Sequence, residues 1–327
     1  MAIHMTSILR SLLRTVILYL LASAALSQTT NPAASSQQTP GGTGSSGHLR
    51  IALTFDDLPA HGSLPPGTTR TEVISKIAAA LKQAKVPPTY GFVNGNWLDQ
   101  HSDDISALQA WRDAGNPLGN HTWSHMNLNQ HSLEEFEADT TKNEPLLAKW
   151  KDNDWHWFRF PFLAEGDTAE KRAGVRAFLL QRGYKIAGVT MSFADYMWTE
   201  TYARCRAKGD SQAVAQLESS FLKSAEDNIG HYRAMSHSLL GRDIPYVLLM
   251  HVGVLDAEML PRALDLYRSK GFEFITLEEA ERDPFYAQDT HLHLAPAPDM
   301  LEGALAERHL SVPAAPAIAV HFDSLCR

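Results

Sequence analysis

The chain has 327 residues, of which 44% are hydrophobic and 20% are charged. This length and composition allow one large globular domain with a full hydrophobic core, or two smaller domains. The formal net charge of −8 at pH 7 argues against a general nucleic-acid-binding protein, because such a protein presents basic surface to the phosphates.

The N-terminus has the pattern of an export signal. Two arginines, Arg10 and Arg14, precede an apolar run over 16–25, which ends in the small-residue pattern that a signal peptidase reads. The run is shorter than the roughly 20 apolar residues of a membrane-spanning helix, which disfavours the alternative of an anchor. We therefore expect residues 1–27 to be a signal peptide. The mature protein is then secreted or periplasmic, without stable membrane insertion.

Residues 28–48 are rich in Thr, Ser, Gln, Gly and Pro, so burial cannot offset the entropy cost of ordering them and we expect a flexible linker. From residue 49 to about 285, short apolar strands alternate with apolar residues at helical spacing. Six or seven such strand–helix units predict a parallel α/β sheet, but counting units does not distinguish a barrel from an open sheet. In chain order the predicted elements are strand 50–55, helix 73–81, strand 89–93, helix 105–111, helix 133–150, strand 155–159, helix 169–181, strand 185–189, a long helical stretch within 199–231, strand 246–250, helix 260–267 and strand 272–275.

Beyond residue 285 the chain becomes rich in Pro, Ala and His. A short helix is predicted over 302–310. We expect the tail over 286–327 to pack on the domain surface or to stay partly loose, and we assign it no function. The two cysteines, Cys205 and Cys326, lack metal-ligand spacing. An exported protein can form disulfides, and the sequence leaves open whether these two cysteines pair.

Two short motifs contain residue types that bind metal ions. Asp56 and Asp57 come directly after a buried strand, where sites assemble in parallel α/β folds, and two carboxylates there are costly to bury unless they are used. We interpret them as a general base and a metal ligand; a loop start or a helix N-cap is the alternative. His121 and His125, at i and i+4, can place both imidazoles on one face near one ion, although the chain has fifteen histidines and a chance pair is the alternative. One carboxylate with two imidazoles leaves positions open for water and substrate, as catalytic metal sites do.

Four further residues lie at or beyond predicted strand ends. Arg159, in apolar surroundings, needs an anionic partner such as the Asp pair, unless it extends to water. Asp195 could hydrogen-bond a catalytic His or Arg and Trp198 could line a binding groove, with a loop cap and a core aromatic as the alternatives. His251 suits a general acid, with a hydrogen-bonded core histidine as the alternative.

Together these motifs resemble the polysaccharide deacetylase family, also called the NodB-homology or carbohydrate esterase 4 group. The resemblance extends over about residues 49–277 and implies a distorted (β/α)7–8 barrel of the glycoside hydrolase/deacetylase type, with a catalytic domain over 49–285. The matching segments are Thr54-Phe55-Asp56-Asp57, His121-Thr122-Trp123-Ser124-His125, Arg159-Phe160-Pro161-Phe162, the Asp195–Trp198 segment and Leu249-Met250-His251.

The family's chemistry, transferred to these positions, implies a metal-dependent deacetylase that hydrolyses N-acetyl or O-acetyl groups of a polysaccharide or oligosaccharide. A metal-bound water would attack the acyl carbonyl, with an Asp as base and a His as acid. The implied cofactor is a divalent metal, Zn²⁺ first and Co²⁺ as the alternative. The implied roles are Asp56 as base, Arg159 as the residue that orients it, Asp57, His121 and His125 as metal ligands, the backbone N–H of Phe162 as oxyanion donor, and His251 as acid tuned by Asp195.

Three positions depart from the family pattern. Leu58 follows the Asp pair where the family commonly has Gly, which could bring His61 into the pocket. The third motif ends in Phe162 instead of Tyr, and Ser192 stands where a second acid is expected. None of these changes removes a metal ligand or the base.

Two other functions stay open. One is an amidohydrolase of the same fold that acts on a small non-sugar C–N amide bond, and the other is a non-catalytic carbohydrate-binding relative. The intact Asp-His-His set disfavours the first, and the presence of both Asp56 and His251 disfavours the second. A serine hydrolase is disfavoured because no Gly-x-Ser-x-Gly motif occurs.

Overall fold

The computed structural model describes residues 48–101, 104–296, 298 and 300–327. The predicted signal peptide and nearly all of the predicted linker lie outside the described residues. Within the described part, no helix is both long enough and apolar enough to cross a bilayer. Its strands are β1 (Leu49–Leu58), β2 (Tyr90–Val93), β3 (Leu118–Asn120), β4 (Trp157–Phe158), β5 (Lys185–Ile186), β6 (Tyr246–His251) and β7 (Phe272–Ile275). Its helices are α1 (Arg70–Gln83), α2 (Trp97–Gln100), α3 (Ile105–Asp113), α4 (Leu133–Leu147), α5 (Ala169–Gln181), α6 (Thr199–Lys208), α7 (Ser211–Leu240), α8 (Val254–Ser269), α9 (Leu277–Ala280), α10 (Ala287–Thr290) and α11 (Leu301–Glu307).

The strands pair in parallel and curl into a distorted barrel. The order is β5-β4-β3-β2-β1-β6, and β7 pairs with the first residues of β1. The chain that leaves β5 closes the ring, because Met191 pairs with Leu248 of β6 and its carbonyl accepts a hydrogen bond from Leu249 N–H at 3.0 Å. The predicted distorted (β/α) barrel is therefore confirmed.

Strand β1 lies in the middle of the sheet, and as far as Phe55 its buried residues are mostly apolar on both faces. Every residue from Ile51 to Leu58 is buried, as expected for a parallel strand that is covered on both sides. Helix α1 packs outside the sheet and starts at a capping box formed by Thr69 and Glu72. Its buried residues include those that the helical spacing predicted: Val73, Ile74, Ile77 and Leu81.

The predicted helical stretch over 199–231 is two helices. Helix α6 ends at Gly209, which has a left-handed φ of 69°, and the side chain of Asp210 then caps α7. A break here follows from the residue types, because Gly adopts positive φ without strain and Asp is a good N-cap.

The C-terminal tail is fastened to the barrel. Leu301 and Leu305 of α11 are fully buried, so the predicted short helix exists and contributes to the core. Cys326 forms a disulfide with Cys205 of α6, so the two cysteines, whose pairing the sequence left open, are joined. Arg204 of α6 also donates hydrogen bonds to carbonyls of the last six residues.

Candidate active site

The predicted site residues meet at the carboxyl edge of the sheet. Asp56 lies in register with His251 on the neighbouring strand β6, and His121 directly follows β3. Arg159 directly follows β4. Since all these strands are parallel, the topology alone brings the side chains to one end of the barrel.

Three of these side chains form a compact cluster. Oδ1 of Asp57 lies 3.5 Å from Nε2 of His121 and 3.3 Å from Nε2 of His125, and one donor atom from each residue lies within 4.8 Å of the others. Asp57 and His125 reach this position through left-handed backbone, with φ of 63° and 57°. Non-glycine residues rarely adopt such angles, and they concentrate at functional sites.

The cluster fits a divalent metal ion. Oδ1 of Asp57 is buried and has no hydrogen-bond partner among the residues that the structure describes, so it is free to ligate. Nδ1 of His121 lies 2.7 Å from the carbonyl oxygen of Arg159. With Nδ1 donating there, Nε2 presents its lone pair to the cluster, which is the arrangement that fixes ligand histidines in metal sites.

His61 enters the same cluster from the loop after β1. Its Nδ1 lies 2.7 Å from Oδ2 of Asp57, the oxygen opposite the one that faces the two imidazoles. The sequence indicated this contact indirectly, because Leu58 stands where the family commonly has Gly and we expected the change to affect the loop that contains His61.

Neighbouring imidazoles hold Asp57 as a carboxylate. Burial alone would raise its pKa, but the imidazoles of His121 and His61 beside its oxygens, together with the nearby His251 and His125, keep the pKa of Asp57 well below its usual range. Burial and the neighbouring His121 lower the pKa of His125 to about 4. Both groups are therefore in the forms that ligate metal at neutral pH.

The neighbouring Asp56 pairs with a buried arginine. Nη1 of Arg159 lies 3.2 Å from Oδ1 of Asp56, Nη2 donates to Thr54, and Nε donates to the carbonyl of Ala187. The guanidinium also stands 4.7 Å from the ring centroid of Phe92. Each nitrogen therefore has a partner, which fixes both the arginine and the carboxylate that it contacts.

On the other side of Asp56, His251 pairs with Asp195. The carboxylate of Asp195 lies 2.9 Å from Nδ1 of His251 and also accepts a hydrogen bond at 2.6 Å from the backbone N–H of His251. Burial lowers the pKa of His251, but the charge and hydrogen bond of Asp195, with smaller contributions from the charges of Asp57 and Asp56, outweigh it and raise the pKa to about 9. His251 is therefore protonated at neutral pH.

The expected substrate contact at Trp198 is wrong. Its ring is fully buried between Phe221 and Phe322, and Nε1 donates to Ser220. The indole is thus a core residue that supports the segment carrying Asp195.

Two other aromatic rings are exposed at the site. Phe162 is 63% exposed and its ring centroid lies 4.4 Å from that of His125, whereas Tyr196 is 48% exposed and lies 5.3 Å from His251. Both belong to the motifs that the sequence singled out, but the pattern did not distinguish the exposed Tyr196 from the buried Trp198 two residues later.

A buried amide network, which the sequence reasoning missed, supports the histidine motif. Asn120 accepts from the N–H of Thr122, Asn143 donates to Asn120, and Asn94 donates to the carbonyl of His121. Single Asn residues are common in loops and turns, so the sequence provided no specific signal for this network.

The fold and the cluster define a parallel α/β barrel with a site that could hold a divalent metal. The polysaccharide deacetylase family model matches residues 43–178, which include the Asp pair, the histidine pair and Arg159. The resemblance to the polysaccharide deacetylase family is thereby confirmed. Asp195 and His251 lie beyond the matched residues.

Solved structures of similar fold come from this group. The chitin deacetylase of the fungal pathogen Colletotrichum lindemuthianum is 21% identical, with a TM-score of 0.50 over 71% of this chain and 87% of that chain. A family 4 carbohydrate esterase from Streptomyces lividans is 19% identical, with a TM-score of 0.46 over 71% of this chain and 95% of that chain. A CE4 family pseudoenzyme from Bacillus anthracis is 16% identical, with a TM-score of 0.48 over 72% of this chain and 66% of that chain. Similarity at these identities concerns the fold alone.

Proposed function

We propose that this protein is an exported, divalent-metal-dependent deacetylase that removes acetyl groups from a carbohydrate polymer or oligomer. The observation that carries the proposal is that the Asp57–His121–His125 cluster lies beside one group that can accept a proton and another that can donate one. Asp56 can accept a proton on one side, and His251 can donate one on the other.

In this proposal Asp57, His121 and His125 hold the metal, which supplies Lewis-acid activation of a water molecule and of the acyl carbonyl. Zn²⁺ is the ion we favour, with Co²⁺ as the alternative, because two imidazoles and a carboxylate suit either. The free oxygen of Asp57 supports this assignment.

The side chains of the chain itself would move the protons. Asp56 takes the proton of the attacking water, and Arg159 keeps its carboxylate in place through the contact at 3.2 Å. The backbone N–H of Phe162 helps to hold the negative charge on the former carbonyl oxygen. His251, charged because Asp195 raises its pKa, gives a proton to the departing amine or alkoxide.

The exposed rings support a carbohydrate as substrate. Phe162 and Tyr196 flank the cluster beside His125 and His251, and aromatic faces pack well against the apolar faces of sugar rings. Export, which the N-terminal pattern predicts, would give the enzyme access to peptidoglycan, chitin-like oligomers or acetylated xylan.

The two rival functions make different demands on the site. A binding protein without catalysis needs no buried Asp56–Arg159 pair and no charged His251, yet both are present. An amidohydrolase for small amides is disfavoured by the intact Asp57–His121–His125 set, and a substrate comparison tests it directly.

The test is acetate release from N-acetylglucosamine oligomers, peptidoglycan and acetylxylan by protein stripped with a chelator and restored with Zn²⁺ or Co²⁺. We expect metal-dependent release by the wild type and no release by Asp57→Ala or Asp56→Asn. Asp113→Asn is the matched control, because Asp113 is the exposed last residue of α3. This variant should keep full activity. Metal binding without release from any of these substrates would contradict a carbohydrate deacetylase, and absence of metal binding would contradict the metal-dependent mechanism.

A further inference from the structure

A second buried acidic side chain lies behind the His251–Asp195 pair. Asp256, in the first turn of α8, is fully buried, and its carboxyl group is within hydrogen-bonding reach of that of Asp195. Two carboxyl groups buried side by side repel each other when both are charged. The pair therefore requires a proton.

Hydrogen-bond accounting places that proton on Asp256. Asp195 already accepts from both the backbone N–H and Nδ1 of His251, which stabilises its charged form. Neither oxygen of Asp256 has a well-formed hydrogen bond from an N–H or O–H group of the described residues, and the contact with its own backbone N–H is the smallest influence on its pKa. A buried carboxylate without donors is costly, whereas a carboxylic acid has its own O–H and can donate it to Asp195.

The packing around Asp256 leaves room for this contact only because residue 253 is glycine. A Cβ at Gly253 would lie 2.2 Å from Oδ2 of Asp256 and 2.8 Å from Oγ1 of Thr199. Gly253 is also the N-cap of α8, and Thr199 begins α6 directly after the segment that carries Asp195. The acid thus joins the start of α8 to the Asp195 segment.

We propose that Asp256 is a positioning residue that donates the proton of a neutral carboxylic acid to Asp195 and so keeps the Asp195 carboxylate aimed at Nδ1 of His251. The proposal rests on the proposed role of His251 as the general acid. Its effect on catalysis passes entirely through Asp195 and His251, since Asp256 is buried away from substrate.

The electrostatic surroundings agree with this assignment. Burial and the charge of Asp195 raise the pKa of Asp256 well above its usual range, while the pKa of Asp195 is lowered by His251 and by the hydrogen bond from Asp256 despite its burial. Besides His251, a further titratable group near Asp195 is Tyr267 of α8, whose burial raises its pKa and keeps it neutral.

The first test reads the protonation state directly in the unmutated protein. In Zn²⁺-loaded protein labelled with ¹³C at the aspartate carboxyl groups, the resonance that disappears in Asp256→Asn should have the shift of a carboxylic acid and should not titrate near neutral pH. A resonance with the shift of a carboxylate would overturn the proposal. This measurement does not depend on activity, and the one variant that it needs, for assignment, is the conservative Asp256→Asn.

The second test compares Asp256→Asn with Asp256→Ala in the same Zn²⁺-loaded protein. The amide of Asn can still donate to Asp195, so Asp256→Asn should keep the low-field ¹H signal of His251 Nδ1–H, which His251→Gln removes. Asp256→Ala should lose this signal and lower kcat by about 10- to 100-fold, with KM unchanged, because a misaligned proton donor slows the reaction without weakening binding.

Asp289→Ala is the matched control, because it removes a buried carboxyl group that packs against Gly188 instead of Asp195. It should keep the His251 signal even if its melting temperature falls as far as that of Asp256→Ala. Loss of the signal in Asp256→Asn, or its retention in Asp256→Ala, would overturn the positioning role. Absence of deacetylation in every variant and in the wild type would instead contradict the proposed function, and the NMR signals would still decide the role of Asp256.

Discussion

The two halves of the candidate site are built in different ways. The metal half consists of Asp57, His121 and His125, which belong to two short motifs at the ends of β1 and β3. The acid half joins His251 at the end of β6 to Asp195 and to Asp256 of α8, through contacts between buried groups. The spacing of residues within two short motifs specifies the metal half, whereas the acid half depends on how β6, α8 and the segment with Asp195 pack together.

The largest expected effects separate the two halves. His125→Ala removes a ligand from the metal half, so we expect loss of both tight metal binding and activity. His251→Gln should lower kcat by about 10²- to 10⁴-fold, the usual contribution of a general acid, while metal affinity measured by calorimetry stays unchanged. If His251→Gln released the metal, or if His125→Ala kept full affinity, the division into two halves would be wrong.

The same division explains what could be predicted from the sequence. Periodicity predicted α1 and every strand except the three-residue β3. The ordered motifs predicted which residues meet at the site, because parallel strands align their ends. Trp198 was placed wrongly because a residue pattern does not show which aromatic of a turn faces the core. Asp256 had no signal, since a single Asp in the first turn of a helix is commonly a favourable partner of the helix dipole.

The charge on His251 offers the next test. The pKa of about 9 depends on Asp195, since burial by itself lowers it. In Asp195→Asn the largest contribution that raises the pKa of His251 is gone and only the charges of Asp57 and Asp56 still raise it, so the pKa should fall well below 9 and a smaller fraction of His251 should be charged at pH 7. An NMR titration of the His251 ring protons in chelator-treated protein measures both values.

Deprotonation of His251 at high pH should reduce both stability and activity. Because the folded-state pKa is raised, the stabilisation from the charged His251–Asp195 pair is fully present below pH 6.5 and is lost as the pH rises towards 9. Deacetylation should likewise decline as His251 loses its proton, and the decline should move to lower pH in Asp195→Asn. Equal pKa values in wild type and variant would show that Asp195 does not determine the charge of His251.

The smallest expected effect lies in the metal half, at His61. Its Nδ1 holds Oδ2 of Asp57 at 2.7 Å and so leaves Oδ1 to face the two imidazoles. His61→Ala would let the Asp57 carboxylate rotate, and a partner of this kind typically contributes 10- to 100-fold in metal affinity. We therefore expect calorimetry to show Zn²⁺ affinity reduced by about that factor, with binding retained.

The control is His156→Ala, because His156 also pairs with an Asp, at 3.3 Å, but its side chain is 41% exposed and lies outside the cluster. Unchanged affinity in His61→Ala would mean that the two imidazoles and the backbone of Asp57 suffice to orient the carboxylate. A loss as large as that of His125→Ala would mean that His61 ligates the metal itself. The intermediate loss alone is what a residue acting through Asp57 produces, and it would extend the metal half by one residue that lies outside the matching motifs.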